Sequence, residues 1–178
     1  MKSVIAVPFA RKLSGRTNYK RRLALIKSGM PRIVVRKTLT RIILQVVDFD
    51  TAGDRVRVTI TSDVLKKLGW KHSCKNIPAA YLAGMLAGKA AVAANIVRAV
   101  PDLGFQTVTR GGKVFAALLG ARDAGLDVPV SVEITKQREA ISGARIAAYA
   151  TARHMSATAG IEGDFEKLKA AIAAGKGK

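Results

Sequence analysis

Residues 32–61 decide the fold, and they read RIVVRKTLTRIILQVVDFDTAGDRVRVTIT. Three runs in this stretch, at 32–38, 41–49 and 55–61, are rich in β-branched residues and have the length of strands. The turn residues DTAGD at 50–54 separate the second run from the third. Because short connections join antiparallel neighbours, the stretch predicts a three-stranded antiparallel meander.

The order of residues within these runs predicts one buried and one polar face of the sheet. Side chains two positions apart point to the same face of a strand, so Arg32 and Arg36 are expected to share a face. In the third run an apolar set alternates with a polar set, Val56, Val58 and Ile60 with Arg55, Arg57 and Thr59.

A basic arm and a short helix precede the meander. Residues 1–17 show no periodicity and predict an extended arm. Asn18 is placed to cap a helix that runs to about Ser28. Leu23 and Ile26 are spaced for the apolar face of that helix.

Two helices are predicted directly after the meander. Ser62 is placed to cap a short helix at 63–69, and a longer helix is expected from about residue 76 to about residue 98. Gly84 and Gly88 lie four apart in the longer helix, on one face, where two small residues let a neighbour approach closely.

A further strand and helix follow these two. Residues 101–109 predict a loop and then a strand, and residues 113–126 predict a helix. Strand, helix, strand and helix in this order indicate a crossover that adds a parallel strand to the meander. Two more helical stretches are expected at 137–154 and 164–175, and the last residues, GKGK at 175–178, predict a frayed tail.

Together these patterns predict an α/β (α+β) fold. Its three-stranded antiparallel meander is extended by a parallel strand into a mixed sheet with packed helices. We divide the chain into a basic N-terminal arm at 1–17, an α/β core at 18–130 and a helical C-terminal extension at 131–178.

The charge of the chain predicts an anionic partner. The formal net charge is +19, and 12 of the 31 Lys and Arg residues fall within residues 1–47, before the first acid, Asp48. Such a concentration costs self-repulsion unless an anion compensates it. A solvated surface usually mixes both signs, so a role in solubility alone explains this segment less well.

Other features of the sequence bear on compartment and membrane association. The single cysteine, Cys74, excludes an internal disulfide and favours a reducing cytosol. The N-terminus lacks the long apolar region of a signal peptide. The apolar segment at 77–97 is divided by Lys89 and consists largely of small residues, which favours a closely packed helix over a membrane span.

The sequence offers little to an enzyme or to a bound metal or cofactor. His72 and Cys74 lie two apart, but a zinc site needs three or four ligands and a second cysteine is absent. TRGGKVF at 109–115 lacks the first glycine and the Ser or Thr of a phosphate-binding loop. Asp48, Asp50 and Asp54 flank the turn between the second and third runs, where conformational preference explains them and a cation site is the alternative. We expect neither catalysis nor a cofactor.

Phosphates of a nucleic acid are the partner that this basic region fits best. The arm, the first helix and the polar sheet face are expected to form one surface, which carries Arg11, Lys12, Arg16, Lys20, Arg21, Arg22, Lys27, Arg32, Arg36, Lys37, Arg41, Arg55 and Arg57. Tyr19 lies among these cations, either to stack on an exposed base or to pack the helix onto the sheet. An arm on a mixed α/β core suits folded RNA better than the known patterns of DNA recognition.

Arg110, Gly111, Gly112 and Lys113 are a second candidate for anion binding, at the predicted start of a helix. Glycines there expose backbone N–H groups, and the helix dipole favours an anion. A strand-to-helix turn that requires glycine for its geometry is an equally good explanation.

Several blocks of the sequence carry a family resemblance. They are GRTNYKRRLALIKSGMPRIVVRKT at 15–38, RIILQVV at 41–47, KNIPAAYLAGMLAGKAA at 75–91 and GGKVFAALLGARDAGLDVP at 111–129. On these blocks the chain resembles the archaeal and eukaryotic branch of large-subunit ribosomal protein eighteen. The resemblance runs from about Val7 to Pro129, with a weaker match at 138–150. Asn18 and the turn at 39–41 depart from the family pattern.

The resemblance implies a structural protein without catalysis, in which helices pack on a mixed sheet. It implies that the protein binds 5S rRNA in the central protuberance of the large subunit, with the arm between 5S and large-subunit rRNA and with ribosomal proteins as neighbours. Carried onto matching positions, it implies RNA contacts at Arg11, Lys12, Arg16, Tyr19, Arg21, Arg22, Arg36, Lys37, Arg41 and Gln45.

Two other functions are open on the residues alone. One is a free-standing basic RNA-binding or RNA-chaperone protein. The other is a cationic membrane-surface protein, which the short first helix supports poorly because it has few large apolar residues.

Overall fold

The sheet of the protein has four strands. A computed structural model describes residues 7–107, 109–130, 138–153 and 160–175. Its strands are β1 (Arg32–Lys37), β2 (Ile42–Asp48), β3 (Arg55–Thr61) and β4 (Val100–Asp102), in the spatial order β3-β2-β1-β4. β1 and β2 pair antiparallel, as do β2 and β3, whereas β4 pairs parallel to β1. The predicted α/β fold with a mixed sheet is confirmed.

Eight helices lie in these described ranges. They are α1 (Ala10–Leu13), α2 (Tyr19–Ile26), α3 (Val64–Lys67), α4 (Ile77–Ala93), α5 (Lys113–Asp123), α6 (Arg138–Ser142), α7 (Ala144–Ala152) and α8 (Ile161–Ala173). The expectations for residues 1–6 and 131–137, for His154 and for the tail after Gly175 fall outside the described residues.

The parallel strand lies earlier in the chain than predicted. It covers Val100–Asp102, and the described residues from 103 to 109 form turns and loop. The prediction of a loop followed by a strand over 101–109 was wrong in this respect. Pro101 lacks an N–H group, and the sheet accommodates it because β4 is an edge strand, where one side of the backbone needs no ladder partner.

The N-terminal segment is more structured than an extended arm. Residues 10–13 form α1, a single helical turn. The cap of α2 is as predicted, since Asn18 accepts a hydrogen bond from the N–H of Arg21 at 3.1 Å. Leu23, however, is exposed. Ile26, the other residue predicted for the apolar face, is half-buried, and so is Leu25.

Ser62 does not cap the helix that follows it. Its hydroxyl oxygen accepts a hydrogen bond from the N–H of Ile42 at 3.0 Å, which satisfies a backbone group at the start of β2. α4 ends at Ala93, before the predicted end near residue 98, and Asn95 adopts a left-handed conformation with φ of 60°. Left-handed residues of this kind terminate helices.

The core lies on one face of the sheet, between the strands and the closely packed helices α4 and α5. Ile33, Val35, Leu44 and Val46 from the sheet are fully buried there. A Cβ atom at Gly84 or at Gly120 would meet backbone atoms of the other helix. The close approach predicted for the Gly84 face is therefore confirmed, and it explains why α4 is so rich in small residues.

The C-terminal helices pack on the same core. The predicted stretch at 137–154 is interrupted by Gly143, whose φ of 94° separates α6 from α7. The Lys89 ammonium donates to the carbonyl oxygens of Ile172 and Ala173 at the end of α8. His72 Nε2 lies 3.1 Å from Asp164 Oδ2. Lys89, which divides the apolar segment of the sequence, thus holds the C-terminal end of α8 in place.

None of the helices within the described ranges is long and apolar enough to cross a membrane.

Candidate nucleic-acid interface

The outer face of the sheet, on the side away from the core, forms the floor of a cleft beneath the arm and α2. The cleft has a volume of about 290 Å³. It contains six guanidinium groups, those of Arg11, Arg16, Arg21, Arg22, Arg32 and Arg36. Two carboxylates, those of Asp54 and Asp102, also line it. We call this feature the arginine cleft, and its charge is strongly positive.

Hydrogen bonds fix the arm and α2 at the rim of the arginine cleft. Arg11 Nε donates to Thr17 Oγ1 at 2.9 Å, which ties α1 to the residue before the cap of α2. Arg21 Nη1 donates to the carbonyl oxygen of Gly104 at 3.1 Å. Since Gly104 lies just after β4, this contact connects α2 to the sheet edge.

Five charged residues form an alternating chain across the cleft floor, in the order Arg22, Asp54, Arg32, Asp102, Arg36. Asp54 lies 3.0 Å from Arg22 Nη2 and 2.7 Å from Arg32 Nη2. Asp102 lies 3.0 Å from Arg32 Nη1 and 3.5 Å from Arg36 Nη2. The chain connects α2, the start of β3, β1 and β4, so that elements distant in sequence share one electrostatic network.

Arg32 is the centre of this chain and is only 3% exposed. The sequence placed it among the RNA contacts on the same face as Arg36, and it does lie on that face. Because its guanidinium is buried between two carboxylates, we assign it the role of supporting the cleft floor rather than contacting RNA directly.

Asp102 is held in place by more than its ion pairs. Its Oδ1 accepts from the N–H of Gly104 at 3.0 Å. Its backbone carbonyl accepts from Arg36 Nη1 at 2.8 Å, and this same nitrogen donates to the carbonyl of Val35. The guanidinium of Arg36 is therefore fixed through Nη1, while the side chain stays partly exposed.

The structure brings some of the predicted residues together and separates others. Gln45 also lines the arginine cleft, and its amide donates to Thr59 Oγ1 at 3.3 Å. Lys12, Tyr19 and Lys20 line a neighbouring cavity with Phe105. Lys37 and Lys113 line a third cavity, at the start of α5.

Three more of the predicted cations lie away from the cleft. Arg41 pairs with Asp63 at 3.0 Å beyond the β1–β2 turn. Arg55 and Arg57 belong to β3, an exposed edge strand, and Arg57 Nε lies 3.9 Å from Asp48 Oδ2. None of these three lines the arginine cleft.

An irregularity in the pairing of β2 and β3 explains where Arg57 lies. The register shifts between Val46 and Val47, so that Val46 faces Val58 whereas Val47 faces Val56. Arg57 is the extra residue of this β-bulge. The prediction that Val56 is buried with Val58 and Ile60 was wrong, because the bulge turns Val56 into the arginine cleft, where it is exposed.

The glycines before α5 have conformational reasons of their own. Gly111 has φ of 66°, and a Cβ atom at Gly112 would lie 2.6 Å from Thr109 Oγ1. The turn explanation therefore accounts for both residues. Anion binding by Arg110 and Lys113 remains a prediction.

The described residues contain no group of three or more His, Cys, Asp or Glu side chains that could hold a metal ion. Asp48 and Asp54, weighed as cation ligands in the sequence, are engaged by arginines instead. Cys74 is buried, and desolvation raises the pKa of its thiol.

Sequence reasoning missed Asp102 and Phe105 as parts of this region and gave Asp54 no arginine partner. A signal for Asp102 did exist. Arg32 stands in an apolar strand, and a buried guanidinium requires a carboxylate or carbonyl partner. The sequence does not say which acid that is, because 70 residues separate Arg32 from Asp102.

The fold and the basic cleft agree with the comparison of the chain to known protein families. The model of a family described as ribosomal large subunit proteins 60S L5 and 50S L18 matches residues 4–100. That match covers more than half of the chain, including the arm, α2, the meander and α4. Proteins of this family are structural rather than enzymatic. The chain therefore belongs to the family of ribosomal large subunit proteins 60S L5 and 50S L18, and it is a constituent of the large ribosomal subunit.

Proposed function

We propose that the protein binds 5S rRNA in the cytoplasm and helps to anchor it to large-subunit rRNA in the central protuberance, beside other ribosomal proteins. One observation carries this proposal. The arginine cleft gathers six guanidinium groups and only two carboxylates in a concave site between the arm and the sheet. Phosphates are the ligands that such an excess of fixed cations suits.

The cations of the cleft divide into two groups by exposure. Arg11, Arg16 and Arg21 are exposed along the rim, where a backbone can reach them. Arg22 and Arg36 are partly exposed, and each is held by a carboxylate of the alternating charge chain, Arg22 by Asp54 and Arg36 by Asp102. In our proposal the rim residues supply most of the phosphate contacts, and the floor residues set the shape that a folded RNA has to match.

The other predicted residues extend this surface. Lys12, Tyr19 and Lys20 continue it along the outer side of α2. Lys37, Arg41, Gln45, Arg55, Arg57, Arg110 and Lys113 are proposed as further RNA contacts around the sheet and the start of α5. The distribution of cations over several elements favours an RNA that wraps around the core.

A gel shift of the purified protein with 5S rRNA, in physiological salt and excess tRNA, tests the proposal. We expect a discrete one-to-one complex. A smear that tRNA removes would refute selective 5S binding and would favour a free-standing basic RNA-binding protein.

Two double variants that remove the same charge from different surfaces test which surface binds the RNA. The double variant Arg16→Ala/Arg21→Ala removes two rim cations, and Lys66→Ala/Lys67→Ala removes the same charge from α3, which does not line the cleft. Each lost phosphate contact should lower the slope of log affinity against log salt by about 0.7–0.9. We expect this change for the cleft variant alone. Equal slopes for both variants would show that the cleft is not the RNA-binding surface.

A further inference from the structure

A second cavity lies beside the arginine cleft, on the outer side of α2. It has a volume of about 270 Å³ and is lined by Lys12, Thr17, Asn18, Tyr19, Lys20 and Phe105. We call it the aromatic pocket. Its lining contains two aromatic rings, two ammonium groups and no carboxylate.

Phe105 is exposed although both of its neighbours in the chain are held by hydrogen bonds. The residue is 55% exposed to solvent. On one side, Gly104 donates to Asp102 and accepts from Arg21. On the other side, Gln106 Oε1 accepts from the N–H of Lys37 at 2.9 Å, and its amide nitrogen donates to the carbonyl of Val35. The loop is thus tied to the sheet and to α2 on both sides of Phe105.

Tyr19 is supported in a similar way from the arm. The ring of Phe9 lies 4.9 Å from the ring of Tyr19, centroid to centroid, at an angle of 44°. Tyr19 is half-buried, and Phe9 is largely exposed. Three aromatic side chains thus gather where the arm, α2 and the loop after β4 meet. A gathering of this kind presents ring surface to a planar partner.

The charges around the pocket indicate what that partner is. Lys12 and Lys20 are exposed and can meet phosphates on either side of a bound base. An apolar peptide from a neighbouring protein would gain from the rings but not from the two ammonium groups. A nucleotide gains from both, by stacking its base and by placing its phosphates near the lysines.

We propose that the aromatic pocket takes a single unstacked base of the bound rRNA, held against Phe105 and Tyr19. This inference rests on the proposed RNA-binding function and adds a role that the arginine cleft does not have. The cleft reads phosphates, whereas the pocket selects a position where the RNA chain is unpaired. A bulged or looped nucleotide fits it, and a continuous duplex does not.

The test uses the full chain and a short single-stranded RNA with 2-aminopurine at its centre. Stacking on an aromatic ring quenches the emission of this base. We expect quenching with the wild-type protein and with Phe105→Trp, and little or none with Phe105→Ala. A fully paired duplex of the same sequence should show no change in emission when the protein is added, because its probe is already stacked between its neighbours. Loss of the Phe105 ring should weaken binding of the single strand by roughly 5- to 150-fold.

Phe49→Ala is the matched control, because Phe49 is 50% exposed and does not line the pocket. It should leave quenching and affinity unchanged. Phe105→Ala should also leave the salt slope unchanged, since it removes no cation, and this separates stacking from phosphate contact. A circular dichroism spectrum like that of the wild type confirms that the variant is folded.

The two proposals can fail separately. If the wild-type protein binds 5S rRNA selectively but the probe is not quenched, or is quenched equally by Phe105→Ala, the base pocket is overturned and 5S binding stands. If the probe behaves as expected but tRNA competes the 5S complex away, the pocket stands and selective 5S binding fails.

Discussion

The two faces of the sheet are stabilised in different ways, although a single strand contributes to both. On one face of β1, Ile33 and Val35 are fully buried beneath helices that pack through glycine. On the other face, Arg32 and Arg36 belong to a chain of alternating charges. The core face depends on close packing of apolar atoms. The outer face depends on ion pairs between residues that are far apart in the sequence. The difference predicts that mutations on the two faces affect different measured properties.

The largest effect is expected on the core face, from Gly84→Ala. The new Cβ atom would meet the backbone of Ala117, which no side-chain rotation can relieve, so α4 and α5 must separate. We expect the free energy of unfolding to fall by about 3 kcal/mol or more. Urea denaturation measures this change.

Gly163→Ala makes the same substitution at an exposed position of α8 with no neighbour within 4 Å of the new atom. It should raise stability by up to about 1 kcal/mol, because alanine favours a helix more than glycine does. Equal destabilisation by both variants would contradict the view that α4 and α5 depend on direct backbone contact.

The next largest effect is expected on the outer face, from Asp102→Asn. This change leaves the buried guanidinium of Arg32 with one carboxylate instead of two. Removal of a partner from a buried ion pair typically costs about 3–5 kcal/mol, and the remaining pair with Asp54 should reduce the loss to about 2–3 kcal/mol.

Asp127→Asn is the control for that variant. Asp127 Oδ2 lies 3.1 Å from Arg98 Nε, nearly the same separation, but both side chains are well exposed. An exposed pair contributes about 0–1 kcal/mol because water screens it. If urea midpoints fall equally for both variants, burial is not what makes the charge chain of the cleft stabilising.

An effect of intermediate size is expected from the removal of either of two helix caps. Asn18 caps α2, which has no fully buried residue, and Asn76 caps α4, most of which is buried. Either cap replaced by alanine should cost about 1 kcal/mol locally. We expect Asn76→Ala to lower the urea midpoint without changing RNA affinity. Asn18→Ala should weaken RNA binding and hardly shift the midpoint. A reversed pattern would contradict the assignment of α2 to the binding surface.

The smallest effect concerns Cys74 in the core. Desolvation raises the pKa of this thiol above its ordinary value of 9.0, and Lys66 lowers it to a lesser extent. The unfolded chain therefore loses the thiol proton at lower pH than the folded chain. Stability should be unaffected below about pH 8 and should fall as the pH rises through 9 and above.

The pH dependence of the urea midpoint, compared between the wild type and Cys74→Ala, isolates this contribution from the titration of lysines and tyrosines. A steeper fall in the variant would contradict burial of the thiol.

Local signals in the sequence were enough for the meander, the Asn18 cap and the helices α4 and α5. Each of these rests on periodicity or on residues close in sequence. The polar sheet face was also recognised, as were all six arginines that line the arginine cleft.

The errors have a common physical cause, which is contact between distant parts of the chain. Arg32 read as a surface cation, and only its two carboxylate partners make its burial tolerable. β4 is a strand because β1 offers it an edge, although Pro101 is unfavourable locally. Val56 changed faces through a register shift that alternation alone does not predict.

The alternating charge chain bears on the rate at which the protein finds its RNA. The carboxylates hold Arg22, Arg32 and Arg36 in their arrangement before any RNA arrives. The conformational entropy of ordering these side chains is therefore lost during folding, and docking need not wait for them to rearrange. Encounter between the positive cleft and the polyanion should then limit association. Such a step is fast at low ionic strength and slows steeply as salt is added.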